Sequence, residues 1–352
     1  VRFFTILTNI FLNLMPKISK SHIALVLFGL TLGLLITAVS YPILKKYADK
    51  LVIPKGAEFE SVDDLRANLI KKEPVTKGKS ADLRDLLIPN NSNLIMYELA
   101  SNLDVTFQRA NVKTNSYGMR NRELSLEKPK GTYRIALLGD SFAFGWGVEQ
   151  EQGFAHILEE QLNKNSNKDI NYEVLNFGVP GYSTFQEVEQ FMQTGIKFNP
   201  DAVLVFFIEN DFGLPFFIKN FATGEGLTTG NNFNKNKKDL SAEQKENRKQ
   251  VLNSIDPSRA LKKLDTFCNE KNIKLFLTIN PNKKVKKIKS QLWYLRNENN
   301  IKVLNLRRRF LEIFYEMGIP EDDLRLSFDN HPSPIKHKIL GLVIEEKIRP
   351  QL

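Results

Sequence analysis

Between residues 133 and 306 the chain alternates short, continuously apolar runs with longer amphipathic ones. "RIALLG" (134–139), "YEVLNFG" (172–178), "DAVLVFFI" (201–208), "KLFLTIN" (274–280) and "IKVLNL" (301–306) read as strands. They are too continuous to keep one face in water. Between them, "GFAHILEEQLNK" sets Phe154, Ile157, Leu158 and Leu162 at helical spacing, and "STFQEVEQFMQTG" begins with Ser183 or Thr184 as a cap. Further helices are predicted around "SRALKKLDTFCNEK", over 285–297 and after the turn in "FDNHPSPIKHKILGLVIEEKI". Doubly buried strands alternating with helices imply an α/β fold, a three-layer α/β/α arrangement with a mostly parallel central sheet. A chain of 352 residues, 42% hydrophobic, can bury the core this needs, as one large domain or two modest ones.

In such sheets ligands bind beyond the carboxyl ends of the strands. Gly139, Asp140 and Ser141 follow the first strand, and "NFGVPGYS" follows the second, with Asn176, Gly178 and Gly181. Glu209, Asn210 and Asp211 follow the third, and Asp329, Asn330, His331 and Pro332 close the last strand region. These ends supply a hydroxyl, a flexible backbone turn, a carboxamide and a carboxylate–histidine pair, the inventory of acyl transfer. A serine hydroxyl needs an imidazole to take its proton and a carboxylate to orient that imidazole. The oxyanion that forms needs N–H donors, and glycine lets a backbone N–H come close.

Each piece alone has a plainer reading. A Gly-Asp turn after a strand is commonplace, Asn210–Asp211 alone is a turn, and a lone histidine more often packs or faces solvent. A phosphate loop wants lysine then Ser or Thr after its glycines, and "GDSFAFGWGV" has no lysine. The Gly-x-Ser-x-Gly elbow is missing because Ala143 stands where its second glycine belongs. Of the four histidines, His22 abuts an apolar segment, while His156 and His337 fall in predicted helices. Only His331 sits on a turn with an acid two residues before it.

Taken in order, "GDSFAFGWGV", "NFGVPGYST", "IEND" and "DNHP" resemble the four blocks of the SGNH (GDSL-like) hydrolase superfamily, over 132–345. The resemblance implies a flavodoxin-like sheet and a serine esterase or O-acyltransferase. By position, Ser141 is the implied nucleophile and one oxyanion donor. Gly181 is the second donor, the Asn210 side chain the third, and His331 the base oriented by Asp329. Asp140 and Asp211 brace loops. No metal or organic cofactor is implied, because this chemistry is complete without one. Two positions depart from the pattern. Ile208 replaces the glycine usual two residues before the third-block Asn, and Asp329 lies two residues before the histidine rather than three, which leaves a backbone carbonyl as the alternative orienting group. Glu209 reads as a solvated loop acid. Phe142, Phe144 and Trp146 either pack under the first helix or wall an acyl pocket.

The flanks set the context. Residues 1–22 form an N-terminal extension. From 23 to 44, "IALVLFGLTLGLLITAVSYPIL" carries no charge, long enough for a transmembrane helix or signal anchor, with "AVS" at 38–40 offering a cleaved signal peptide instead. Lysines on both sides leave the orientation open. Residues 45–88 read as a stalk containing a helix at "SVDDLRANLIKK", 89–131 as a small β-rich lead-in, and 132–352 as the hydrolase-like domain with an insertion at 212–245, a lid or a packing cluster. The net charge of +10 is scattered among acids, so it reads as a solvated basic surface rather than a nucleic-acid footprint. One cysteine, Cys268, excludes an intrachain disulfide. The expected protein is a membrane-anchored, extracytoplasmic enzyme hydrolysing or transferring an acyl group on an envelope glycan or lipid. The alternative is a non-catalytic glycan- or lipid-binding assembly protein of the same fold.

Overall fold

The computed structural model describes residues 77–92, 95, 97–164, 170–212, 242, 253, 255–282, 284–296 and 299–352. The extension 1–22, the apolar segment 23–44, the helix expected at "SVDDLRANLIKK" and most of the insertion 212–245 lie outside them. Among the described residues no helix is long and apolar enough to cross a membrane.

The chain first forms β1 (Lys77–Ala81), β2 (Leu87–Pro89), β3 (Tyr97–Leu99), β4 (Asp104–Phe107) and β5 (Ala110–Lys113). β1 runs parallel to β4, β4 antiparallel to β5, and β2 pairs with β3 as a separate antiparallel ribbon. Pairing therefore begins inside the stretch read as a stalk. The sequence "KGKSA" has no apolar alternation to mark a strand, and its backbone is recruited by β4. At the β4–β5 turn Phe107 lies opposite Ala110, leaving Gln108 and Arg109 at φ of 49° and 67°, the doubly left-handed geometry of a two-residue hairpin loop.

The larger layered region runs β6 (Thr132–Leu138), α1 (Ser141–Phe144), α2 (Phe154–Lys164), β7 (Asn171–Asn176), α3 (Thr184–Gln193) and β8 (Ala202–Phe207). It continues with α4 (Pro257–Glu270), β9 (Lys274–Ile279), α5 (Val285–Gln291), β10 (Lys302–Leu304), α6 (Arg307–Met317) and α7 (Pro334–Ile348). All neighbours in this five-stranded sheet are parallel, in the order β10-β9-β8-β6-β7. The chain winds outward from β6 to β7, then returns to β8 on the other side of β6. The carboxyl ends of β6 and β8 thus flank the topological switch point of a doubly wound sheet.

Burial explains the layers. Ile135, Leu137, Leu204 and Phe206 join Leu158 of α2, Phe310 of α6 and Leu340 of α7 in one core. The alternate strand residues Ala136, Leu138, Val203 and Val205 are also buried, on the side of α3 and α4, which pack against each other. Local caps open these helices where the pattern requires. At the start of α3 the Gln186 Oε1 reaches back to accept from Ser183 N at 3.3 Å. Asp256 accepts from Ser258 N before Pro257 opens α4, and Ser333 accepts from Lys336 N before Pro334 opens α7. The helix expected over 285–297 stops at Gln291, and a 3₁₀ turn takes Trp293–Arg296.

One ion pair crosses the sheet interior. Arg134 on β6 stands in register with Glu173 on β7. Arg134 is fully buried, and its Nε donates to Glu173 Oε2 at 2.8 Å. Its remaining N–H groups donate to the carbonyls of Ser125, Leu126 and Phe198 at 2.7, 3.0 and 2.8 Å. Satisfying every arm of the guanidinium offsets the desolvation that a buried pair costs. Replacing Arg134 by Met leaves the buried Glu173 carboxylate with only the exposed Arg122 as a cationic partner, and we expect a loss of roughly 3–5 kcal/mol in urea unfolding. A loss under about 1 kcal/mol would contradict this account.

Candidate active site

β6 ends at Gly139, and Asp140 turns the chain into α1. The Asp140 side chain caps this short helix by accepting from Phe142 N at 2.9 Å, and Gly145 ends it in the left-handed region. Ser141, the first helical residue, is 8% exposed at the strand tip. The β7 loop packs directly on α1. A Cβ on Gly178 would fall 2.3 Å from Phe144 N and 2.7 Å from Ala143 C, so only glycine allows the approach. Asn176 fixes the contact, donating to Ala143 O at 2.8 Å and accepting from Gly178 N at 2.9 Å.

Ser141 Oγ lies 2.8 Å from His331 Nε2, and His331 Nδ1 lies 2.6 Å from Asp329 Oδ1. The two-residue spacing of acid and histidine works because the segment curls on itself. Asp329 Oδ1 also accepts from His331 N at 3.1 Å, an Asx-type turn that brings the carboxylate beside its own neighbour's ring. The loop is closed by Leu326 N donating to His331 O at 2.9 Å. A side-chain carboxylate, not a backbone carbonyl, therefore orients the imidazole. Partial burial works to raise the Asp329 pKa, but its bonds to His331 prevail and hold it below the usual carboxylate value. An ionised Asp329 keeps the proton on Nδ1 and leaves the Nε2 lone pair to receive the serine hydroxyl. Trp146 stacks flat on the imidazole, with ring centroids 4.6 Å apart and planes 16° apart. The indole N–H faces Asp329 closely enough to help lower its pKa, though without the geometry of a full hydrogen bond. Trp146 thus orients the histidine, a role that neither of its two sequence readings contained. Phe144 is buried with Phe107, while Phe142 lies 6.0 Å from the His331 ring and 6.2 Å from Phe206.

The remaining expected residues converge on the same cleft. Ser141, Gly181, Asn210 and His331 line a space of about 280 Å³, together with Leu83 and Trp146. Gly181 sits at φ +83°, a conformation that glycine adopts without strain, and its N–H makes no hydrogen bond among the described residues. One Asn210 N–H donates to Asp140 Oδ2 at 2.7 Å, which leaves the second available to a ligand. Ile208, in the place of the usual glycine, keeps the loop by donating its N–H to Asp211 Oδ2 at 2.7 Å. Asp140 and Asp211 brace loops as expected, and Glu209 is exposed.

Sequence reasoning missed what the lead-in does. Tyr97 on β3 donates to Pro180 O at 3.1 Å, and Tyr182 donates back to Tyr97 O, so β3 and the Gly181 loop clasp each other. Arg120, 3% exposed, donates to the carbonyls of Phe144 and Val148 at 3.1 and 2.6 Å, holding the chain just after α1. Burial lowers its pKa only to about 10, so it stays a cation at neutral pH. At the β4–β5 turn Phe107 meets Trp146 edge-on at 4.6 Å, and Arg109 lies 4.1 Å over the Phe328 ring, next to Asp329. No local pattern marks these residues, because each acts across a long sequence separation.

The doubly wound parallel sheet brings a hydroxyl, an imidazole and a carboxylate into one row beside its switch point, an arrangement suited to serine-type hydrolysis. A model of the GDSL-like lipase/acylhydrolase family matches residues 137–339, and the chain belongs to that family. It is accordingly a hydrolase of ester bonds. Among solved structures, it is similar to the psychrotrophic esterase EstA from Pseudoalteromonas sp., with 15% identity, coverage of 62% of this chain and 97% of that one, and a TM-score of 0.38. It is also similar to a lipase/acylhydrolase from Enterococcus faecalis, at 16% identity, 62% and 97% coverage and a TM-score of 0.37. A two-domain esterase active on acetylated mannans gives 14% identity, 62% and 49% coverage and a TM-score of 0.40. No curated protein matches the chain by sequence.

Beneath the site lies a buried carboxylate pair. Glu187 on α3 is 1% exposed, with neither carboxylate oxygen hydrogen-bonded among the described residues. Burial first, then the negative charges of Asp211 and Asp140, push its pKa well above the usual value, and burial does the same to Asp211. The folded protein therefore holds a proton on Glu187 to higher pH than the unfolded chain does. Stability falls as pH rises from the ordinary glutamate pKa through the raised one. Glu187→Gln removes its own share of that dependence and leaves the share of Asp211. We expect its gain in Tm to be larger near about pH 8 than near about pH 5. An equal difference at the two pH values would refute the assignment.

Proposed function

We propose that Ser141, His331 and Asp329 are the catalytic triad of this esterase, with the Ser141 N–H, the Gly181 N–H and the Asn210 carboxamide as its oxyanion donors. The observation that carries the reading is the continuous relay, 2.8 Å from Oγ to Nε2 and 2.6 Å from Nδ1 to Oδ1. Ser141 Oγ attacks the ester carbonyl as Nε2 takes its proton. The oxyanion is received by the three donors, each contributing on the order of 3 kcal/mol to the transition state. The tetrahedral adduct collapses, and the imidazolium returns its proton to the departing alcohol oxygen. Water, or a hydroxyl on an acceptor, then attacks the acyl-serine with His331 again as base. Hydrolysis and transfer differ only in that last nucleophile.

The reading extends to an ester carried by an envelope glycan or lipid. The uncharged 23–44 segment supports it as a tether that keeps the enzyme at a membrane, with the hydrolase on the extracytoplasmic side. The scattered basic surface favours anionic surroundings at that boundary.

The test uses the full chain in detergent with a fluorophosphonate probe. The expected result is one labelled peptide containing Ser141, lost in Ser141→Ala and in His331→Ala. We expect Asp329→Asn to lower kcat by roughly 10²–10⁴-fold and Asn210→Ala by roughly 10²–10³-fold, each with little change in Tm. A folded wild-type protein that escapes labelling, or a Ser141→Ala variant that retains ester turnover, would overturn the proposal.

A further inference from the structure

We infer that Leu83, supplied by the N-terminal β unit, closes the acyl side of the cleft and sets the length of acyl chain the enzyme accepts. The inference rests on the proposed triad and adds a determinant that lies outside the matched residues 137–339.

Among the described residues, Leu83 is the one preceding residue 137 that lines the cleft. It opens a 3₁₀ turn, Leu83–Leu86, whose geometry is fixed from both ends. Asp82 Oδ1 accepts from Arg84 N at 2.8 Å and from Asp85 N at 3.2 Å, and Asp85 Oδ2 accepts from Asp82 N at 2.9 Å. Leu86 and Leu87 are fully buried, which anchors the turn, while Leu83 alone among these leucines keeps partial exposure. A doubly capped turn on buried anchors holds an apolar side chain still, as a specificity wall requires.

The chemistry decides which part of the ester meets it. The departing alcohol takes its proton from His331 Nε2, so it leaves on the imidazole side, where Trp146 stacks on the ring. The carbonyl oxygen turns to the Gly181 N–H and Asn210, so the acyl substituent takes the lining that remains away from His331 and Trp146, which is Leu83 with Pro180 and Tyr182 on either side of Gly181. The β2–β3 ribbon clasps that same stretch through Tyr97 and Pro180 O, and the Leu83 turn leads directly into β2. The acyl wall is therefore the one to which the N-terminal unit is attached, and Leu83 is its apolar contribution.

The experiment measures kcat/KM of the full chain and of Leu83→Ala and Leu83→Trp on p-nitrophenyl esters from acetate to octanoate. It adds a second series in which the acetyl group is fixed and the alcohol varied. The octanoate-to-acetate ratio within one preparation is independent of how much of it is folded. Enlarging the site by a few methylenes should raise that ratio by about tenfold or more in Leu83→Ala, and filling it should lower the ratio comparably in Leu83→Trp. The alcohol series should not move. A chain-length ratio unchanged in both variants overturns the inference while leaving the triad standing. A change that follows the alcohol instead overturns the assignment of the acyl side. Ester turnover by the wild type that survives Ser141→Ala removes the triad, and with it this inference.

Discussion

One buried carboxylate holds the site together. Asp140 sits just beyond the end of β6, where it caps the short helix carrying Ser141 and accepts from the Asn210 side chain beyond β8. Burial raises its pKa, and the bonds from Phe142 N and the Asn210 side chain act against that rise. The carboxylate thereby couples two strand ends at the switch point of the sheet. The serine and the carboxamide proposed as an oxyanion donor are fixed by the two oxygens of one carboxylate, so their separation is a property of the fold rather than of two independent loops. Preorganisation of this kind is what makes a hydrogen-bond donor effective in a transition state.

The strands were legible because burial on both faces of a parallel sheet demands continuous apolar sequence, and "IALL", "VLVFF" and "LFLTI" have no other economical reading. The strand ends followed from the strands, which is why Ser141, Gly181 and Asn210 could be named from the sequence. His331 lies not at a strand end but on the turn before α7, with α6 between it and β10, and it was marked by the acid two residues before it. All four line one cleft. Helix α6 was not legible. It opens with three arginines and buries only Phe310 and Phe314, too few positions to reveal a period. β1 was not legible either, since "KGKSA" contributes backbone pairing and no apolar pattern.

The departure at Asp329 is instructive in another way. A spacing that differs from the family pattern need not move the carboxylate away from the imidazole, because an Asx-type turn shortens the path between them. The same holds at Ile208, where Asp211 takes up the backbone N–H in the altered loop. Position in the sequence was a poor guide to geometry at both sites. What decided them was whether a side-chain oxygen could satisfy a backbone donor two or three residues away.

The clasp between Tyr97 and the Gly181 loop has a consequence for anyone recombining these proteins. Family boundaries drawn from sequence begin at residue 137, after the whole N-terminal β unit. A chimera spliced there would carry an intact hydroxyl–imidazole–carboxylate row into its new host. It would leave behind the ribbon that steadies one loop, the arginine that ties down the chain after the serine, and the leucine that faces the cleft. The heritable unit of this active site is larger than the domain that gives it its name.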